Sequence, residues 1–246
     1  MSLRPSLSGM NALVFGAGGG LGGALCQSLI ARGDFNTVFA VSRQAVGDSA
    51  AVPLVYPELD DRSLVEIAQR VADAGPLTLC LSALGRLSDP DTELRPERTL
   101  KAQEQTSFEA IFHVNTILPG LIAKHLIPIM PRGERAIFAA LSARVGSISD
   151  NRLGGWHAYR ASKAALNMLL KNYAIEQART SPEFIVAGLH PGTVDTALSA
   201  PFQRGVPADK LFLPAQSAGY LLDVLDGLSP ADTGKVFDWQ GKEVPA

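Results

Sequence analysis

Tyr159 and Lys163 stand four residues apart in Tyr159-Arg160-Ala161-Ser162-Lys163, a segment that reads as helix. Residues i and i+4 share a helix face, so a phenol and an ammonium can point into one cleft. A free tyrosine titrates near pH 10, too high for ready proton exchange at neutral pH. A neighbouring Lys⁺ favours the phenolate, and lowering the phenol by about 3 units takes roughly 4 kcal/mol of differential interaction. The pair has the make-up of a tuned general acid/base.

A second chemistry sits near the start of the chain. Val14-Phe15-Gly16-Ala17-Gly18-Gly19-Gly20-Leu21-Gly22-Gly23 joins an apolar β-type run to a helix-type run and holds six of the 23 glycines. Glycines permit a tight turn and let the backbone approach a pyrophosphate, which the helix N-terminus attracts. Three registers fit: Gly16/Gly20/Gly22, Gly18/Gly20/Gly23 and Gly16/Gly19/Gly22. All three imply a dinucleotide, and the first is favoured because it begins directly after the strand. The second strand ends Val41-Ser42-Arg43, with no acid until Asp48. In such folds an acid at this point binds the 2′-OH of NAD, and Arg accommodates the 2′-phosphate of NADP. Ser42 and Arg43 therefore point to NADP(H) in preference to NAD(H).

The elements that must position these residues alternate. Strands are expected at Asn11–Phe15, Thr37–Val41, Val52–Tyr56, Leu77–Ala83, Ala136–Leu141, Phe184–Leu189 and Lys235–Trp239, with helices from the glycine turn to Ala31 and at Arg62–Ala74, Phe108–Met130, Ala158–Arg179 and Ala215–Leu228. Pro119 is awkward inside the long third helix, and Arg86–Thr106 reads as a surface loop with one helical turn. The pattern predicts an α/β, doubly wound Rossmann fold: one parallel sheet of about seven strands, helices on both faces, one domain over residues 1–246. With 46% apolar and 19% charged residues the 246-residue chain can bury a large core, which excludes a disordered protein. A net charge of −2 offers nothing to attract nucleic acid or an anionic membrane. Cys26 and Cys80 read as buried thiols of a reduced compartment. No signal-type N-terminus and no uninterrupted 18-residue apolar run are present, so a cytoplasmic chain without a membrane span is expected. His113, His125, His157 and His190 are scattered, with no metal-ligand spacing; His157 alone sits near the tyrosine.

Taken together, these residues resemble a short-chain dehydrogenase/reductase along nearly the whole length. The resemblance is carried by Gly16-x-x-x-Gly20-x-Gly22, Asn115 in the long helix, a serine after the fifth strand, Tyr159-x-x-x-Lys163, and His190-Pro191-Gly192-Thr193 followed by Asp195-Thr196. Gly146-Ser147-Ile148-Ser149-Asp150-Asn151, the run from Tyr159 to Asn167, and the tail Gly234 to Gly241 are similar to the C-factor-like branch, which includes carbonyl-reductase-like enzymes. The resemblance implies that Tyr159 is the general acid/base and that Lys163 lowers its pKa and holds the nicotinamide ribose. It implies that Asn115 holds a water leading from Lys163 to solvent, and that Ser142 donates to the substrate carbonyl. Cofactor contacts would come from Gly16, Gly20, Leu21, Gly22, Ser42, Arg43, Asp60 (at the adenine), Ala83, Gly85, Tyr159, Lys163, Pro191, Gly192 and Thr193. A homodimer or homotetramer through the two long helices is implied as well.

Three positions depart from the family pattern. Phe15 stands where Thr is frequent, and Ser82-Ala83-Leu84-Gly85 replaces Asn-Asn-Ala-Gly. The family has two serines after the fifth strand and uses the second; here they are Ser142-Ala143. Counting back from Gly146 puts Ala143 in that slot, and counting forward from the strand puts Ser142 there. Ser142 is the expectation, with Ser147 in reserve. Thr196–Leu213, apolar among Pro and Gly, is expected to be a mobile lid over an uncharged, partly apolar carbonyl substrate. The leading function is NADP(H)-dependent interconversion of a carbonyl and an alcohol. The alternative is a dinucleotide-binding regulatory or signalling protein with vestigial catalysis.

Overall fold

The computed structural model describes residues 10–45, 47, 50–89, 91–92 and 94–246. Asp48 and the N-terminal segment 1–9, both used in the sequence reading, lie outside the described residues. In chain order the elements are β1 (Asn11–Phe15), α1 (Gly20–Arg32), β2 (Thr37–Ser42), β3 (Val52–Val55), α2 (Asp61–Asp73), β4 (Leu77–Ser82), α3 (Gln105–Phe112), α4 (Leu118–Leu126) and β5 (Ala136–Leu141). Then come α5 (His157–Gln177), β6 (Phe184–His190), β7 (Thr193–Val194), β8 (Leu211–Phe212), α6 (Pro214–Gly227) and β9 (Lys235–Asp238).

Seven strands form one parallel sheet in the order β3-β2-β1-β4-β5-β6-β9. The alternation along β1 explains its two covered faces. Ala12 and Val14 pack with Leu25 and Leu29 of α1 and Leu221 and Leu225 of α6. Leu13 and Phe15 pack with Leu64 and Ile67 of α2, Ile122 and Leu126 of α4, and Leu166 and Leu170 of α5. Strand order reverses between β1 and β4, and the crevice beyond their carboxyl ends is where such sheets bind ligands.

Two segments differ from the sequence reading. The expected helix over Phe108–Met130 is split by one π turn, His113–Ile117, where Leu118 N–H reaches back to the His113 carbonyl. Pro119 then falls in the first turn of α4, where its missing N–H costs nothing. The helical run Gln105–Ile129 is long and apolar enough to cross a membrane by length and composition alone. Half of its apolar window is buried, and its parts contact β4, α2 and α5. The stretch Arg86–Thr106 is more than a surface loop, because Leu87, Leu94 and Glu97 are all buried. Their side chains fold under the N-terminal end of α5 and give it something to pack on.

Candidate active site

The first crossover builds the phosphate cradle. Gly16 turns at φ +82°, and a Cβ on Gly22 would stand 2.1 Å from the Gly16 carbonyl, inside any permitted contact. A Cβ on Gly20 would meet Thr196 Cγ2 at 2.8 Å, whereas one on Gly18 or Gly19 would find 3.3 Å or more. Sterics thus select the Gly16/Gly20/Gly22 register. Gly18, Gly19 and Gly20 are exposed, α1 has no side-chain cap, and its first turn holds no acid. Open backbone N–H groups at a helix N-terminus fit a dinucleotide pyrophosphate. Leu21 and Gly22 are buried beneath this turn.

Around the cradle, Ala83 donates its N–H to the Phe15 carbonyl, and Gly85 lies 3.5 Å (from its would-be Cβ) from Leu198. Ser42 is buried and donates to the Gln44 carbonyl at 2.6 Å; Arg43 is exposed at the strand end. Asp60 caps α2, accepting from Ser63 N–H at 2.8 Å, and these Ser63 hydrogen bonds hold its carboxyl below the usual range. On the far side of the crevice, the Pro191 carbonyl accepts from Ser217, Gly192 presses on Phe212, and Thr193 pairs with Leu211 in a two-stranded ribbon, β7–β8.

Tyr159 and Lys163 lie on the inner face of α5, 9% and 2% exposed. Lys163 Nζ donates to the Leu141 carbonyl at 2.7 Å and stands 5.8 Å from the Tyr159 ring centre. Burial governs both groups. It pushes the phenol up to about 12 and the amine down to about 7. Burial thus works against the lowering that the neighbouring amine is expected to exert on the phenol, and it draws both groups toward their neutral forms.

Asn115 lies in the π turn with every side-chain hydrogen-bonding partner inside the fold. Its Oδ1 accepts from Arg86 N–H at 2.8 Å, and its Nδ2 donates to the Arg86 carbonyl and to Ser162 Oγ at 2.9 and 3.0 Å. Ser162 Oγ in turn donates to the Tyr159 carbonyl. Asn115 thus ties the end of β4 to α5, and its amide does not reach Lys163. Ser142 is hydrogen-bonded within the fold. It donates to Asn167 Oδ1 at 2.6 Å and is 3% exposed. Of Ser142 and Ala143, Ala143 is the one packed in one cluster with Tyr159. Ser147 is likewise turned inward, accepting from Asp150 N–H.

Aromatic contacts close the front. Trp156 packs edge-on to Tyr159 (6.2 Å between ring centres) and to Phe202 (5.1 Å), so the 196–213 segment reaches the tyrosine through one tryptophan. Phe212, Tyr220 and Trp239 form a second aromatic group next to Gly192. Among the described residues no group of three or more His, Cys, Asp or Glu could hold a metal. His125 contacts Asp61 at 2.6 Å, and burial takes His190 down to about 4. Burial also pushes the Cys26 thiol up to about 12.

The short chain dehydrogenase family matches residues 10–206 of the chain. The chain is a short-chain dehydrogenase. The family makes it an oxidoreductase that works with NAD(P). It is 36% identical over 135 residues to the C-signal of Myxococcus xanthus, covering 54% of this chain and 75% of that protein. It is 29% identical over 259 residues to an uncharacterised oxidoreductase of Schizosaccharomyces pombe, covering 96% and 98%. Among solved structures, the NADPH-bound carbonyl reductase from chicken fatty liver superposes with a TM-score of 0.78 at 25% identity, over 96% and 98% of the two chains. Carbonyl reductase Sniffer of D. melanogaster shares the fold, with a TM-score of 0.80 at 21% identity over 96% and 100%.

Set in this short-chain dehydrogenase, several site residues escaped the sequence reading. Asn167 follows Lys163 by four and so shares its helix face, a signal that was available. Thr196 was quoted in a motif but not as a contact of the glycine turn. Glu97 gave no signal at all, since it is one acid in a polar loop.

Proposed function

We propose that this short-chain dehydrogenase reduces small carbonyl compounds to alcohols with NADPH. The observation that carries the reading is the buried Tyr159–Lys163 pair facing a cradle whose glycines admit a pyrophosphate. When bound, the nicotinamide supplies the hydride. Tyr159 donates its proton at Oη to the carbonyl oxygen as that oxygen gains charge. An alkoxide is a stronger base than a phenolate, so a phenol that holds its proton tightly still transfers it downhill. Lys163 is fixed by the Leu141 carbonyl within reach of the ring and of a ribose held at the cleft. Pro191, Gly192 and Thr193 wall the nicotinamide side, and Asp60, Ala83 and Gly85 the adenosine side. Trp156 and Phe202 exclude water, with 196–213 as the lid. The test is NADPH consumption with a panel of aldehydes, ketones and diketones; binding without turnover of any member rejects the reading.

The NADP(H) preference rests on Arg43, exposed at the end of β2 beside Ser42. Arg43→Ala is expected to raise KM for NADPH about tenfold, the loss of one charge-assisted contact of roughly 1.5 kcal/mol, with KM for NADH unmoved. An unchanged ratio of the two constants rejects the assignment.

Ala143 in place of a hydroxyl leaves Tyr159 to carry the carbonyl oxygen without a serine at its side. Ser142→Ala is expected to leave kcat within about twofold and to cost about 1 kcal/mol of stability through the lost Asn167 contact. Ala143→Ser is expected to raise kcat, by up to the roughly 10²-fold such a donor is worth. A large kcat loss in Ser142→Ala would return the role to Ser142.

The same alanine, with the likeness to the C-signal, supports a second reading: a dinucleotide-binding signalling protein of low turnover. Exposed Ile117, Met168 and Ile175 on the α4 and α5 side support a homodimer or homotetramer built through these helices.

A further inference from the structure

Three consecutive residues before α5 are left-handed: Gly154 at φ 62°, Gly155 at φ 66° and Trp156 at φ 51°. Glycine takes this conformation freely, but a Cβ disfavours it about tenfold. Trp156 is the one non-glycine residue with positive φ among the described residues. Such strain persists only where the surroundings over-determine it, and it gathers at functional sites. Three residues further on stands Tyr159.

The surroundings of Trp156 are specific. The Gly155–Trp156 peptide is held on both sides: its N–H donates to the Glu97 carbonyl at 2.6 Å, and its oxygen accepts from Arg160 Nε at 3.0 Å. Arg160 Nη1 reaches on to the Val145 carbonyl at 3.3 Å, so one guanidinium ties together the two ends of the 145–155 loop. The Glu97 carboxylate accepts from Ala158 N–H through Oε2 at 3.3 Å, in the first turn of α5. That turn holds no acid of its own, and a cation beside it opposes the helix dipole. Helix stability therefore does not account for Arg160; its two backbone acceptors do. On this clamped backbone the indole stands edge-on to two rings, 6.2 Å from the centre of Tyr159 and 5.1 Å from that of Phe202 in the 196–213 segment.

We propose that Trp156 is a positioning residue for the reaction: Glu97 and Arg160 hold its left-handed backbone, and its indole orients the Tyr159 ring and couples that ring to Phe202. The 196–213 segment then acts on the proton donor through one side chain. The inference rests on the reductase reading and deepens it.

The test uses the full chain, NADPH and the aldehyde of the panel that turns over fastest. Trp156→Gly suits φ 51°, so it removes the ring and leaves the backbone unstrained. Its kcat is expected to fall about tenfold, with KM for NADPH within about twofold of the wild type, the mark of a displaced acid/base group. A tryptophan that only fills space would lower Tm and leave kcat of the folded enzyme standing, which overturns the inference. Phe202→Ala is expected to lower kcat about threefold in the wild type and no further in Trp156→Gly, the non-additivity of residues that act in series. Equal losses in both backgrounds overturn the coupling. The chain has two tryptophans, so in a Trp239→Phe background the emission reports on Trp156 alone. There Arg160→Leu is expected to increase acrylamide quenching, and Arg160→Lys, which keeps a donor, to recover part of the protection. Quenching unmoved by Arg160→Leu and by Phe202→Ala overturns the clamp, even where Trp156→Gly fails to fold. A chain that turns over no carbonyl compound overturns the reductase reading and the inference with it; turnover that Trp156→Gly leaves unchanged overturns the inference alone.

Discussion

A Tyr159→Phe enzyme is expected to lose about 10²–10⁴-fold in kcat, the span a general acid contributes, while binding NADPH as before. The substitution removes one atom, Oη, from a side chain that is otherwise fixed by packing. The ring keeps its edge contact with Trp156 at 6.2 Å, its place beside Ala143 and Ile111, and the Lys163 amine 5.8 Å from its centre. The melting temperature should move little, which separates lost chemistry from lost structure. The phenol is pushed up to about 12 by burial, so the protonated form needed for reduction is fully populated across the neutral range. Reduction should therefore be nearly flat in pH there, while alcohol oxidation, which needs the phenolate, should climb with alkalinity. Steady-state NADPH absorbance and a titration of bound NADPH check both statements. A Phe variant that turns over like the wild type would leave the proton step without an owner.

Lys163→Met is expected to inactivate the enzyme and yet to stabilise the fold. The amine titrates at about 7 when folded against 10.5 in the unfolded chain. Between those values the unfolded chain holds a proton that the native state lacks, so this residue makes stability rise with pH from about 7 to 10.5. Below about pH 7 its burial cost is fully present, about 5 kcal/mol, and at pH 7 itself it is about 4 kcal/mol. Methionine fills similar space without a charge but forfeits the hydrogen bond to the Leu141 carbonyl, worth about 1 kcal/mol. The net gain at pH 7 is about 3 kcal/mol, or roughly 6–12 °C in Tm for a domain of this size. Repeating the melts near pH 10 should erase the difference, because the wild-type penalty has fallen to about 1 kcal/mol there and the lost hydrogen bond offsets it. A variant that melts at or below the wild type at pH 7 would show that the amine is not desolvated in solution. A stabilised, inactive variant is what a site that trades stability for function produces.

The fold was legible wherever periodicity was strong. The strand alternation and the helix patterns placed all seven strands of the main sheet within a residue or two, and the glycine turn announced itself by composition. What escaped depended on side chains meeting across the chain. The π turn at His113–Ile117 leaves no mark on an apolar period, and Pro119 hinted only at a break. Ser142 and Ala143 are adjacent, so a one-residue ambiguity in where β5 ends left the slot open, and the contact of Ser142 with Asn167 has no mark in the sequence. For the phenol and amine, spacing revealed proximity but not dryness, which draws both toward their neutral forms. Glu97 sits 62 residues from Tyr159 in sequence, in a loop whose inner side chains no pattern exposes.

The β7–β8 ribbon has an evolutionary consequence. Thr193 pairs with Leu211 and Val194 with Phe212, so the segment between them starts and ends at one fixed base beside Gly192. Its interior is short turns, Ala200–Phe202 and Ala208–Lys210, with mostly exposed tips. Lengthening a loop whose ends are already pinned costs little, about 0.6 kcal/mol for each doubling. The stretch can therefore be exchanged, grown or trimmed as a cassette while the turn at Gly192 stays in register. If that segment covers the substrate as proposed, a lineage built on this frame acquires new substrates by changing some fifteen residues and leaving the sheet and α5 untouched.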